Sequence, residues 1–325
     1  MTDPAFIKTL NSIVANATPL VIASIGETIT ERAGVINLSL NGSILLSAIM
    51  GFAVAIAANS VAVGIIAAMA VGALVALIIA FSSIYLRQDQ VAIGFVLTLL
   101  AADLAKFIGK SYNDPGPIIP MTPIPFLEDL PGVGTVFFKH DFFVYFSYFL
   151  IIATWYWLYH SRPGLAHRAV GEHPEAAFAR GTGVNLQRYI YTMVGGALVG
   201  LAGAGYSLGV KAGWSANPGM DGDGWIALAI VIFGGWHPFK VLLGAYLFTA
   251  LRSASSGIQR TEGIDIPIVL LNGLPWLLMI VTLMMVNSKS TERVVQFLPR
   301  PIRKRALSFL QSTPPLALGR RFEPD

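Results

Sequence analysis

The residues of this chain that could do chemistry sit in two short stretches. The first is GETITERAGVINLSLNG, residues 26–42, where Glu27, Glu31 and Arg32 interrupt the apolar sequence and Asn37, Ser39, Asn41 and Ser43 follow inside the next apolar run. The charges read as a turn between membrane segments. The amides and hydroxyls after them stand at membrane depth, where a polar group is costly and faces the interior of a bundle or a water-filled path. Two readings fit: hydrogen bonds that hold helices together, or the lining of a translocation path by Asn37, Ser39 and Asn41. The second stretch is GEHPEAAFARGTGVN, residues 171–185. Pro174 suits the first turn of a helix. Glu175-Ala-Ala-Phe-Ala-Arg then makes a short amphipathic helix, which Gly181 and Gly183 end. Glu172 and Glu175 lie at its start and Arg180 at its end, as the helix dipole favours. It is either a plain interfacial helix or a rigid one that docks in the cleft of a soluble partner, with the small residues Ala176, Ala177 and Ala179 on one side.

Catalytic patterns are missing from the sequence. There is no GxxxxGK[ST] and no HExxH. Cys is absent, so neither a disulfide framework nor a Cys metal site can form. The five histidines, His140, His160, His167, His173 and His237, fall in loops and at segment ends without ligand spacing. The chain therefore reads as a non-enzyme without a cofactor of its own.

The elements that must position these residues are membrane spans. Hydrophobic residues make up 54% and charged residues 12% of 325, with a mean hydropathy of +0.65. That is about half the charged share of a soluble domain. A span needs roughly 20 apolar residues. Candidate segments are 10–26, 36–57, 61–84, 91–107, 142–159, 189–208, 225–236, 239–254 and 266–286. The seventh is short and reads as a half-helix or re-entrant piece. The fold class is all-α: a polytopic transmembrane bundle of about 8–9 segments. The net charge of +4 reflects basic cytoplasmic loops rather than nucleic-acid binding. The loop 160–188 and the tail 289–325 carry that bias and belong in the cytoplasm. The Pro- and Gly-rich loop 109–141 then lies outside, as does the N-terminus. Residues 1–288 form the permeation domain. The tail reads as a disordered or surface-lying segment drawn to anionic lipid.

Other polar residues have bland readings. Asp103 and Lys106, three apart near the outer end of the fourth segment, share a face and can pair. Asp223 reads as a solvated charge at a membrane boundary. Apart from Asp103 and Lys106, the spans show almost no ionisable group for ion coupling. Asn272 stands beside Gly273 and a kink at Pro275, and with Trp276 it is a further candidate for the path wall. Trp225 and Trp236 suit interfacial belts.

At these residues the chain resembles the permease subunits of the ribose/branched-chain amino-acid transporter superfamily, most closely their nucleoside and simple-sugar branch. Residues 27–42 resemble the signature GE-x-x-x-ERAGV-x-NL-x-x-x-G. Residues 170–185 resemble AVGENP-x-AA-x-x-x-G-x-x-V, and residues 222–238, GDGWIALAIVIFGGWHP, resemble G-x-G-x-x-AIA-x-x-x-FG-x-W-x-P. The pattern often has Glu where Asn41 stands, and a small or basic residue in place of Asp223. The resemblance implies an ATP-driven importer in a bacterial cytoplasmic (inner) membrane. Two permeases pair, here expected as a heterodimer in which this chain is the shorter member. Partner ATPase subunits bind ATP and Mg, and an extracytoplasmic binding protein or lipoprotein delivers a nucleoside or related solute. Gly171, Glu172, Pro174, Glu175, Ala176, Ala177, Arg180 and Gly181 would form the coupling helix. Ribose or another simple sugar is the nearest alternative cargo; an ion-coupled secondary transporter is the alternative of another class.

Overall fold

The apolar runs form helices because a bilayer leaves no other way to pair the backbone of a single chain crossing it. A computed structural model of the protein describes residues 4–112, 116–211, 213–215, 219–259 and 313–323, together with Gly273, Leu277 and Ile280. In order the helices are α1 (Pro4–Arg32), α2 (Leu40–Ala57), α3 (Val61–Ala80), α4 (Gln90–Gly109), α5 (Val133–Phe137), α6 (Phe142–His160), α7 (Arg162–Glu172), α8 (Pro174–Ala179), α9 (Val184–Ala204), α10 (Asp223–Gly234) and α11 (Pro238–Gln259). Helices α3 and α9 end in wider turns, Phe81–Tyr85 and Gly205–Val210. No strand occurs among the described residues.

Six of these helices (α1, α2, α3, α4, α6 and α9) are long and apolar enough to cross a bilayer. Helix α10 is 12 residues long, a rise of about 18 Å against a hydrocarbon core of about 30 Å. The expected segment 266–286, with Asn272 and Trp276, lies outside the described residues. Large apolar side chains such as Ile66, Leu74, Phe95, Leu99 and Phe149 point outward, as they should where lipid is the solvent. Side-chain caps start three helices where the sequence offers an acid or hydroxyl. Asp89 accepts from Ala92 N at 2.8 Å, Asp141 from Val144 N at 3.2 Å and Ser161 from Gly164 N at 3.0 Å.

Helix α9 sits at the centre and meets three neighbours through glycines. A Cβ on Gly195 would lie 2.5 Å from the Gly26 carbonyl of α1, and one on Gly196 the same distance from the Gly72 carbonyl of α3. On Gly203 it would meet the Ile44 carbonyl of α2 at 2.7 Å. Within a bilayer such close backbone approach replaces the hydrophobic effect as the source of helix association.

The structure differs from the sequence reading at several places. The charged residues 27–32 are the last turns of α1 rather than a turn. They stay helical because they find partners: Glu27 Oε1 accepts from Asn37 N at 3.2 Å, Glu31 accepts the Trp236 indole N–H, and Arg32 pairs with Glu172 at 3.5 Å. Trp236 is accordingly buried instead of interfacial. Lys106 pairs with Asp221 at 2.9 Å in place of Asp103. In the tail, residues 313–323 pack against the protein, and Ala317 is buried.

Candidate functional site

The chain enters α2 from an irregular stretch, residues 33–39, and this stretch lies within the protein. Gly94 of α4 packs on Leu38, and Gly42 N donates to Thr98 Oγ1 at 2.9 Å. Thr98 stands eight residues after the start of α4, a rise of about 12 Å. Helix α2 therefore begins well inside the depth of the bundle. Irregular backbone there needs partners from protein. Ile36 N donates to Gln90 Oε1 at 2.8 Å, and the Ala33 carbonyl accepts from Arg188 Nε at 3.2 Å. Asn37 Oδ1 accepts from both the backbone N and the hydroxyl of Ser39, at 3.1 and 2.7 Å, and Ser39 Oγ contacts Ser43 Oγ at 3.0 Å. The side chains of Asn37 and Ser39 are thus used by the turn that starts α2.

Asn41 does something else. Its Oδ1 accepts from Gly222 N at 2.8 Å and Gly224 N at 3.4 Å, and its Nδ2 donates to Asp221 Oδ1 at 3.0 Å. It covers the N-terminus of α10, whose first amides would otherwise lack acceptors. The Gly-Asp-Gly sequence explains itself here. Gly222 holds φ +95, and a Cβ on Gly224 would strike the Asn41 backbone. Replacing either glycine by Ala would disturb the contact of α2 with α10.

Between the glycines, Asp223 is fully buried, contrary to the solvated charge expected from sequence. Tyr206 donates its phenolic O–H to Asp223 Oδ2 at 2.5 Å. Arg252 Nη1 and Nη2 donate to the two carboxylate oxygens at 3.2 and 2.5 Å. Arg252 also lies over the Phe248 ring, 5.3 Å from its centroid. A buried carboxylate is stable only when paired and hydrogen-bonded, and this one is both. Asp221 is partly exposed. Burial opposes its charge, but the hydrogen bonds from Asn41 and Lys106 and the charge of Lys106 outweigh it, holding the carboxyl below its usual range. The junction so joins α2, α4, the end of α9, α10 and α11. A cavity of about 840 Å³ opens beside it, lined among others by Ser12, Asn16, Tyr206, Met220, Arg252 and Ser256.

Of the residues at this junction the sequence reading singles out Asn41, as a candidate for the path lining, and Asp223, as a solvated charge; it passes over Tyr206, Asp221 and Arg252. Arg252 carried the usable signal. An arginine in the apolar segment 239–254 requires a partner, and Asp223 is the buried acid it meets. With Glu27 and Glu31 also buried, ionisable groups inside the bundle are more numerous than the sequence reading allowed.

The other sequence candidates gather at the far end of α10. Gly171 and Glu172 close α7, Pro174 opens α8, and Gly181 follows it at φ +83. Glu175, Ala176, Phe178, Ala179 and Arg180 are exposed. Ala177 instead packs inward with Val170 and Val184, so the three alanines do not share one face as expected. Arg32 links this region to α10, because it pairs with Glu172 while its Nε donates to the Trp236 carbonyl at 3.3 Å. His167 of α7 is buried against Tyr191 and Trp157, with ring centroids 4.2 and 5.1 Å away. Burial, with Arg32 and Arg168 close by, pushes its pKa down to about 3.

Three comparisons with known proteins bear on this arrangement. The family described as branched-chain amino acid transport system / permease component matches residues 9–287. A putative glucose ABC transporter permease of Haloferax volcanii is 39% identical over 248 residues, 74% of this chain and 75% of that protein. A guanosine ABC transporter permease, NupQ of Bacillus subtilis, is 35% identical over 286 residues, covering 82% and 88%. A nucleoside ABC transporter permease, NupC of Lactococcus lactis, is 30% identical over 305 residues, covering 87% and 95%. No solved structure matches the chain. A match along nearly the whole helical bundle, with ABC permeases at this identity, places the chain in the branched-chain amino acid transport system / permease component family, as a multi-pass membrane subunit of an ABC importer.

Proposed function

We propose that this subunit passes a nucleoside across the cytoplasmic (inner) membrane, by alternating access driven by ATP at partner subunits. The observation that carries the reading is the junction at the start of α10, where a cavity of about 840 Å³ meets Tyr206 and Arg252. Its lining mixes hydroxyl, amide and cationic donors with the apolar surface of Ile13, Met220 and Val210. Such a surface suits a solute with a polar sugar edge and a flat base, since few polar groups in an apolar site fix orientation. Asn41 holds the start of α10 at the same junction. The guanosine and nucleoside permeases, matched over most of their length, support this cargo. The Haloferax relative supports a second reading, a simple sugar, which shares the hydroxylated edge but lacks the base.

In this proposal, residues 171–181 are the coupling helix and the chain holds no cofactor. ATP and Mg are bound by the ATPase partners. A second, homologous permease completes the path, and an extracytoplasmic binding protein or lipoprotein hands over the solute. The test is uptake of labelled guanosine, uridine, ribose and glucose in cells with and without the gene. Nucleoside uptake that requires the gene is expected. Uptake of sugars alone would move the assignment to the second reading. Replacing Glu175 by Arg tests the docking helix: the ATPase is expected to dissociate from the membrane complex, and its retention with normal uptake would remove the assignment.

A further inference from the structure

We propose that residues 313–323 are a strap that positions the coupling helix and carries its movement into the membrane helices. The reading rests on α8 being the ATPase-docking helix. Three separate stretches of the bundle are joined by backbone groups of this segment. Leu316 N donates to Glu172 Oε2 at 3.2 Å and Ala317 N to the Gly171 carbonyl at 2.9 Å, both at the end of α7. Gly319 N donates to the Gly34 carbonyl at 3.0 Å, in the loop between α1 and α2. The Arg320 carbonyl accepts from Arg188 Nη1 at 2.9 Å, while Arg188 Nε holds the Ala33 carbonyl. Arg188 is almost fully buried and belongs to the first turns of α9. It therefore fastens the strap and the α1–α2 loop to the same guanidinium.

Packing follows the same route. The Phe322 ring lies 5.5 Å from that of Phe178 on α8 and rests against the cluster of Val170, Ala177 and Val184. Ala317 is buried, and a Cβ on Gly34 would come within 3.1 Å of its carbonyl. Gly319 sits at φ +72, where a side chain is strained, with Ile36 beside it. The outermost contact, Arg87 with Glu323 at 3.3 Å, is more than half exposed on both sides and adds little. Apart from the strap, α7 meets the α1–α2 region through the Arg32–Glu172 ion pair, through Gly171, where a Cβ would strike the Arg32 carbonyl, and through His167 beside the Ile29 backbone. A push on α8 is thus shared between these α7 contacts and the hydrogen bonds of the strap. Two of the strap's bonds, Ala317 N to the Gly171 carbonyl and Gly319 N to the Gly34 carbonyl, are main chain to main chain, and they transmit displacement because neither partner can rotate away as a side chain does.

The test uses the whole transporter in membrane vesicles. The chain has no cysteine, so the pair Phe178→Cys/Phe322→Cys offers two unique thiols. A short bismaleimide is expected to join them and to leave uptake equal to that of the same double variant before cross-linking, since strap and α8 move together. No cross-link, or a cross-link that abolishes uptake, overturns the proposal. Removal of residues 313–325, and separately Gly319→Val, should leave permease abundance and ATPase co-purification unchanged. Uptake per ATP hydrolysed should fall about fivefold or more, the mark of lost transmission rather than lost binding. An unchanged ratio overturns the proposal. So does a truncated chain that fails to accumulate, which would make the segment a folding element, or one that accumulates but loses the ATPase, which would make it docking surface. Glu175→Arg run in parallel separates the two readings. If the ATPase stays bound to that variant, the docking role of α8 fails whatever the strap variants do.

Discussion

Arg252, two turns from the end of α11, places both terminal nitrogens on the carboxylate of Asp223, the first residue of α10. The pair closes the junction where the half-length helix begins. Removing one partner of a fully buried pair costs about 3–5 kcal/mol. The Arg252 side chain is 40% exposed, so solvent lowers the figure for Arg252→Leu to about 2 kcal/mol. The variant should unfold earlier in detergent, and the double variant Arg252→Leu/Asp223→Asn should regain at least half of the loss. A double variant no better than the single one would show that the charge on Asp223 is not what Arg252 answers.

Asn41 serves as acceptor and donor at once, which an ionised carboxylate of the same shape cannot do. With Asn41→Asp, a second carboxylate stands against Asp221, which now receives the Asn41 N–H at 3.0 Å. Uptake should drop about tenfold, equivalent to about 1.4 kcal/mol in the transport barrier. Asp221→Asn in the same chain should restore most of it. Asn41→Ala removes the acceptor for the amides of Gly222 and Gly224 and should cost about 1 kcal/mol of stability, as for other lost N-caps. Thermal melts of the purified subunit separate the two effects from uptake.

The glycines of α9 set a third expectation. Gly196→Leu forces a side chain against Gly72 and Ala76, and overpacking of that kind costs about 1–3 kcal/mol. Gly219→Ala has nothing within 4 Å and should melt within about 0.5 kcal/mol of the parent. Equal melting of both variants would mean that α3 and α9 do not meet as closely as described.

His167 predicts a pH dependence. Its pKa is about 3 in the folded protein against about 6.5 in an unfolded chain. The folded-state value is depressed, so the unfolded chain takes up the proton first as pH falls. The stability held by neutral His167 is full above pH 6.5 and is lost progressively towards pH 3. Between neutral pH and pH 5 the loss is about 2 kcal/mol. Melting temperature in detergent should fall over that window, and His167→Phe should flatten the fall. A variant that melts with the same pH profile as the parent would place the acid sensitivity elsewhere.

What the sequence could disclose depended on how local the cause was. Apolar runs, the Pro174 start and the glycines after Arg180 act within a few residues, and among the described residues the helices they announce are present. The short run 225–236 was already too short to span, and α10 is that half-helix. Glu27, Glu31 and Arg32 misled because their partners, Asn37, Trp236 and Glu172, come mostly from distant regions of the chain. A charge without a visible partner reads as exposed. The same holds for Asp223, whose answer stands 29 residues on at Arg252. The strap was unreadable for another reason. It is held by main-chain groups of Leu316, Ala317 and Gly319, and main-chain groups leave no signature in side-chain types.

The glycine contacts of α9 also say where this protein cannot bend. Gly195, Gly196 and Gly203 bring α1, α3 and α2 to backbone contact with one helix, too close for sliding by even a methyl group. Those four helices are packed together at their backbones as one unit. Helices α6 and α11 meet that unit through Phe143, Ile151, Val241 and Phe248, side chains that can change rotamer and slip past one another. Contacts of that kind shear more readily than backbone contacts, so any relative movement of these helices would fall first at the rim on the side of α6 and α11, with the glycine-packed centre as its anvil.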